Sequence, residues 1–215
     1  MIINIVAGGP EEFLPHLNEF NDENCIWVGV DRGVFYLLER KVKPFIAFGD
    51  FDSVSSLELH EIEKQVAHLK RFNPEKDETD LELAMNWALG QKPTEIRIFG
   101  ATGGRLDHFF GNVQLLIKPV MANLSINLSL IDKKNIVFVK GPGNYSILKD
   151  PHFKYISFIP VSLHVRDLTL RSFKYPLNDC HISLGSTLCI SNELIDDVGT
   201  FSFSEGILIV VRSHD

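Results

Sequence analysis

The hydrophobic period changes once along this chain, and that change limits the fold more than any other feature. Up to about residue 120, short apolar runs alternate with helix-length amphipathic stretches. Ile2 to Val6 ends at Gly8-Gly9-Pro10 before a polar helix expected from Glu11, and Ile26 to Val30 leads through Asp31-Arg32-Gly33 into Val34 to Leu38. Phe45 to Phe48 leads through GDFDSV into a helix from about Ser56 to Leu69, for which Ser55 and Glu58 fit a capping box. Thr79 and Glu82 fit another, ahead of Leu81, Ala84, Met85 and Ala88 at i, i+3, i+4, i+7. Ile96 to Phe99 runs into Gly100-Ala101-Thr102-Gly103-Gly104-Arg105, and a last helix carries an apolar stripe of Leu106, Phe109, Phe110 and Val113, with Asp107 and His108 in its first turn and off the stripe. This β-α alternation predicts a mostly parallel sheet with helices on both faces.

After about Ser125 no useful helical period remains. Short runs (Ile136 to Val139, Tyr155 to Ile159, Leu168 to Leu170, Thr187 to Ile190, Phe201 to Phe203, Ile207 to Val211) are separated by turn residues such as Gly141-Pro142-Gly143-Asn144, Pro176 and Asn178-Asp179. The last third therefore reads as an antiparallel β-sandwich or barrel, the sandwich being the expected form. The expected organisation is an α/β domain over residues 1–133 and an all-β domain over residues 134–215.

Composition narrows the function. With 45% hydrophobic residues, 23% charged and a net charge of -7 over 215 residues, the chain has no basic run suited to nucleic acid or to an anionic membrane. Its apolar runs are too short to span a bilayer. Three cysteines without a CxxC pair (Cys25, Cys180, Cys189) read as small buried residues in a reducing, cytoplasmic protein, not as a zinc site.

Aspartates stand at several strand exits and helix entries: Asp31, Asp50 with Asp52, Asp77 with Asp80, and Asp107. Any one alone is an ordinary first-turn acid, worth roughly 0.3 to 1 kcal/mol to a helix dipole. In an open parallel sheet, however, those loops converge at the carboxyl ends of the strands. Extended alternation across residues 50–52 would put Asp50 and Asp52 on one side. Oxygen ligands without histidine or cysteine point to magnesium, which ordinarily shares its coordination with substrate phosphates. The loop Gly100 to Arg105 supplies the complement: its glycines, Gly103 among them, let backbone N–H groups approach a phosphate, and Arg105 can clamp one bidentately. Lys76 could neutralise phosphate charge. No GxxxxGK[ST] is present.

GDFDS, KDETD and GATGGRLDH, in that order, resemble the motifs of thiamine pyrophosphokinases, and the likeness runs on through Ser191-Asn192-Glu193 and Gly206 to Val210, covering nearly the whole chain. The resemblance implies an α/β nucleotide- and metal-binding catalytic domain followed by a thiamine-binding β-sandwich. It implies transfer of pyrophosphoryl from ATP to the hydroxyethyl group of thiamine with magnesium, giving thiamine diphosphate and AMP. Homodimers are implied too, with active sites between the α/β domain of one subunit and the sandwich of the other. Carried over by motif, Asp50, Asp52 and Asp80 are metal ligands, with Asp77 and Asp107 close by as alternative acceptors of the alcohol proton. Lys76, Thr79, Thr102 and Arg105 contact the triphosphate, Asp31 serves near the nucleotide, and Ser191 with Asn192 holds thiamine from the partner subunit. Arg32 departs from the Asp-Gly-Gly that relatives often show.

Two rival readings come from other classes. Phe45 to Val54 also mimics the hhhhDxDx[TV] pattern of haloacid-dehalogenase-type phosphatases, which would make Asp50 a nucleophile. That reading needs a later acidic pair on the same domain, whereas Asp196-Asp197 falls in the β-rich region. The other is a non-catalytic nucleotide or vitamin sensor.

Overall fold

The computed structural model describes residues 1–51, 55–66, 68–71 and 77–215, the side chains of 56, 61 and 71 excepted. The chain divides into two compact units, Met1–Pro119 with Leu124–Lys133, and Val120–Asn123 with Lys134–Asp215.

In the first unit the apolar runs form β1 (Ile2–Val6), β2 (Cys25–Val30), β3 (Ile46–Gly49), β4 (Leu69–Arg71), β5 (Glu95–Phe99) and β6 (Asn127–Ile131). The helices are α1 (Arg32–Glu39), α2 (Ser56–Gln65), α3 (Asp80–Gly90) and α4 (Leu106–Met121). The strands pair in parallel in the order β6-β5-β1-β2-β3-β4. From β1 the chain builds outward through β2, β3 and β4, then crosses back so that β5 lies on the other side of β1. The order therefore reverses beside β1, the place where open parallel sheets form a crevice at the carboxyl ends of their strands. Ile3, Ile5, Val28, Ala47, Ile96 and Ile98 are at most 4% exposed, as expected for strands covered on both faces.

Local signals account for most of these elements. Ser55 caps α2 in a complete capping box: its hydroxyl accepts from Glu58 N–H, and Glu58 accepts from the Ser55 N–H at 2.7 Å. On α3 only half the expected box forms. Thr79 Oγ1 accepts from Glu82 N–H at 3.2 Å, but the Glu82 carboxylate accepts a charged hydrogen bond from Lys118 Nζ of α4. An ion pair to another helix replaces a neutral amide as its partner.

Some expectations for the first unit fail. The polar stretch from Glu11 is too poor in apolar spacing to build an α-helix and forms two 3₁₀ turns, Glu11–Phe13 and Leu17–Phe20. The apolar stripe of α4 is not wholly buried: Val113 is 8% exposed, whereas Leu106 is 71% and Phe110 is 63% exposed. At Phe51 the backbone is left-handed (φ 59°) and the ring packs among Val34, Ala47, Ile62 and Val66; the side shared by Asp50 and Asp52 involves a residue outside the described ones.

The second unit holds β7 (Asn135–Lys140), β8 (Gly143–Leu148), β9 (Tyr155–Pro160), β10 (His164–Arg171), β11 (Leu177–Ser183), β12 (Asn192–Glu193), β13 (Val198–Phe203) and β14 (Leu208–Ser213). One antiparallel layer has the order β12-β9-β14-β7 and the other β11-β10-β13-β8. Phe158, Phe173, Phe201, Leu168 and Val210 form the shared core. Thr187 to Ile190 is a turn, not a strand, and Gly143-Asn144 and Asn178-Asp179 lie inside strands β8 and β11, not at turns. The ladder with β13 overrides the turn preference of Gly143-Asn144, whereas Asn178-Asp179 fall at a register shift in the pairing with β10, with Asp179 left-handed at φ 47°.

Cys189 is 5% exposed, and burial pushes its thiol up to about 11. At pH 8 iodoacetamide should leave Cys189 untouched in the native protein and alkylate it rapidly in urea. Mass-spectrometric mapping that found Cys189 modified natively at the rate of a free thiol would contradict this placement.

Candidate active site

The crevice beside β1 opens into a cleft of about 580 Å3 at the carboxyl ends of the strands, lined by Gly8 to Pro10 after β1, Asp31 after β2, the Asp77 to Leu81 entry to α3, and the loop after β5. One carboxylate oxygen from each of Asp31, Asp50 and Asp80 lies within 4.8 Å of the other two. All three side chains are half-buried. At that spacing each like-charged pair repels by roughly 3 kcal/mol at an effective dielectric near 20. The α3 amino terminus, worth about 1 kcal/mol at most to an acid, does not offset this.

Asp31 is not the helix cap that its position suggests. It precedes α1 with φ 48° and ψ −125°, and its side chain makes no cap hydrogen bond. The strained backbone, pinned by Asp31 N–H to Phe48 O at 2.9 Å, turns the carboxylate toward β3 instead. Gly49 makes this possible. Its φ is 155°, and a Cβ there would sit 2.1 Å from Asp31 Oδ1. The sequence pattern marks Asp31 as a nucleotide-side residue; the fold brings it together with Asp50 and Asp80.

Asp77 and Thr79 line the cleft and are exposed, while Asp52 and Lys76 lie outside the described residues. Thr79 also serves α3 as its cap.

The opposite wall is the loop after β5. Gly9 N–H donates to Gly100 O at 2.8 Å, and a Cβ on Gly9 would meet that oxygen at 2.4 Å, so the two loops interlock only because side chains are missing. Asn112 Nδ2 donates to Ala101 O at 3.0 Å and ties the loop to α4. Thr102 is 8% exposed, and its hydroxyl has no hydrogen-bond partner among the described residues. A buried hydroxyl left unmatched at a cleft wall is suited to a ligand oxygen. Gly103 (φ 78°) is set against the Phe13 ring.

Arg105, 73% exposed at its side chain, is held by Asp107 through Nε to Oδ1 at 3.1 Å and Nη2 to Oδ2 at 2.5 Å. Those hydrogen bonds hold the Asp107 carboxyl below the usual carboxylate range and raise the guanidinium further. A carboxylate so stabilised is a weaker base, and its fork orients Arg105 over the cleft rim. His108, Phe109 and the Gly8-Gly9 turn also line the cleft. Sequence patterning did not single these out for the site; the place where strand order reverses is the signal that identifies them.

In the second unit, Ser191 is exposed at φ 57°, its N–H donating to Ser157 Oγ at 2.9 Å. Asn192 is 2% exposed. Its Oδ1 accepts from Tyr175 N–H and Glu193 N–H, and its Nδ2 donates to Tyr175 O at 2.8 Å. The side chain is therefore a brace that fixes the Ser191 turn.

Two family models match the chain: "Thiamin pyrophosphokinase, catalytic domain" over residues 17–128 and "Thiamin pyrophosphokinase, vitamin B1 binding domain" over residues 144–208. Thiamine pyrophosphokinase of Bacillus subtilis (strain 168) is 55% identical over 213 residues, 99% of each chain. A crystal structure of the Bacillus subtilis thiamine pyrophosphokinase superposes with a TM-score of 0.95 at 54% identity, covering 100% of both chains. Yeast thiamin pyrophosphokinase, at 15% identity and a TM-score of 0.77 over 99% of this chain and 86% of that one, shares the fold.

Gly49→Ala tests the packing that aims Asp31. The added methyl should cost about 2 kcal/mol or more in urea unfolding and should displace the Asp31 carboxylate. Wild-type stability with an unmoved Asp31 in a crystal structure of the variant would contradict it.

Proposed function

This chain belongs to the thiamin pyrophosphokinase family, and on that premise we propose how its own residues divide the work. The enzyme transfers a pyrophosphoryl group from ATP to thiamine. The alcohol oxygen bonds to the β-phosphorus as the bond from that phosphorus to the α–β bridging oxygen breaks, and AMP departs. The phosphatase and sensor readings find no support: the family match and the whole-chain likeness both point elsewhere.

The observation that carries the assignment is the meeting of Asp31, Asp50 and Asp80 beside the glycine loop. Their donor set is hard oxygen only, which fits Mg2+. When bound, that ion supplies charge neutralisation for the polyphosphate. Asp52 completes the acidic loop by motif. On the facing wall, Thr102 offers its unmatched hydroxyl to a phosphate oxygen, the interlocked glycine backbones let the chain approach closely, and Arg105 clamps the transferred group from the rim. With Lys76 and Thr79 at the entry to α3, these groups preorganise positive potential where charge develops on the moving pyrophosphoryl group and on AMP.

Asp107 acts by holding Arg105 in its fork. Asp77, lining the cleft without that tether, is the better placed acceptor for the alcohol proton. Ser191 meets thiamine on a turn that Asn192 braces. Leu188, Ile190 and Ile195 around that turn are 63%, 44% and 62% exposed, an apolar skin suited to cover by a second copy. We therefore assign the working enzyme as a homodimer in which Ser191 serves the cleft of the partner. Three free cysteines, and no helix among the described residues able to cross a membrane, agree with a cytoplasmic setting.

Incubated with ATP, magnesium and thiamine, the protein should release AMP and thiamine diphosphate in equal amounts. Asp80→Asn should fall by about 10²-fold or more and should lose the rise in melting temperature that magnesium gives the wild type. Near-normal turnover in saturating magnesium would refute the metal assignment. Thr102→Val, which removes an unmatched hydroxyl at constant volume, should leave stability unchanged or slightly raised while weakening the KM for ATP by roughly tenfold. Unchanged kinetics would remove Thr102 from the phosphate wall.

A further inference from the structure

At the amino end of the parallel sheet lies a second concavity, a groove of about 550 Å3 between the segment preceding β2 and the turn joining α1 to β3. Its walls include Asn18, Trp27, Lys41, Lys43, Phe45 and His68. The same turn borders a hollow of about 450 Å3, to which Lys64 adds a third ammonium. β2 is six residues long, so at about 3.3 Å per residue the groove is roughly 20 Å from Asp31. A ligand here is not a ligand of the acidic cleft.

The charge of the groove runs against that of the chain. The protein carries a net charge of -7, yet among the described residues no carboxylate lines this groove, while two lysines and a histidine do. Within that positive rim stands a fixed aromatic surface. Phe45 is 49% exposed, and its ring is held 5.3 Å from His68 and stacked at 6.2 Å on Trp87. An aromatic ring half in water but locked by two neighbours is a ready platform for another planar ring.

The backbone keeps a lysine where glycine would be easier. Helix α1 ends in a Schellman motif: Val42 N–H donates to Leu37 O and Lys41 N–H to Leu38 O, both at 2.9 Å. The left-handed position of that motif ordinarily belongs to glycine, but here Lys41 occupies it at φ 58°. Retained strain that aims a cation into a groove points to use.

We propose that this groove binds a nucleoside monophosphate, its base stacked on Phe45 and its phosphate held between Lys41 and Lys43. AMP is the natural probe. Both tryptophans of the chain report on the groove, Trp27 as part of its wall and Trp87 through its stack on Phe45. Without divalent ion, AMP should therefore change tryptophan fluorescence saturably in the wild type and equally in Asp80→Asn. The double variant K41G/K43Q, which keeps both fluorophores, should bind about tenfold more weakly. Its melting temperature should hold or rise, since glycine relieves the strained position. Phe45→Leu should weaken AMP but not inorganic pyrophosphate. Equal AMP affinity in K41G/K43Q and wild type, or no saturable response in the wild type at millimolar AMP, overturns the proposal. Pyrophosphate binding as tightly as AMP overturns the role of the ring.

Discussion

Three carboxylates held within 4.8 Å of one another are the constraint around which the first unit is organised. Each belongs to a different segment, and none could reach the others without a concession from the backbone. Asp31 accepts a strained conformation, Gly49 gives up a side chain, and Asp80 enters at the first position of α3. Such concessions are stable only when the surrounding sheet overdetermines them. Here the sheet does so through the parallel ladder from β1 to β3 and the Asp31 bond to Phe48. The local architecture is thus bent toward concentrating negative charge at one mouth.

Much of this was legible in the sequence, because the signals are local. Apolar runs separated by helical periods specify a parallel sheet, and the Ser55 and Thr79 caps mark helix starts within a residue. The aspartates declare themselves by standing at strand exits. What escaped is non-local. The convergence of Asp31 with the other acids at one rim follows from strand exits, but the positive φ and the glycine eighteen places downstream that aim its carboxylate are not visible as a pattern in either segment. That Leu106 and Phe110 stay exposed cannot be told from their spacing, which matches that of the buried Val113. In the second unit, strand β8 begins with Gly143-Asn144 because pairing with β13 outweighs single-residue preference.

The second unit uses polar groups differently. Where the acidic mouth leaves a hydroxyl unmatched, Asn192 spends its amide on the backbone of Tyr175 and Glu193. One wall leaves a polar group unmatched; the turn at Ser191 is fixed by its own hydrogen bonds. A turn already ordered loses little entropy on binding, so shape there can discriminate without a folding cost.

The ion pair that draws Glu82 away from its own helix start has a mechanical meaning. It joins the first turn of α3, which carries Asp80, to α4, which anchors the glycine loop through Asn112. The two walls of the mouth are braced by a strut whose lysine end is open to water, and such a strut slackens as counterions crowd in. Salt therefore acts on the contact between the two helices that carry Asp80 and Asn112 rather than on the buried sheet beneath them.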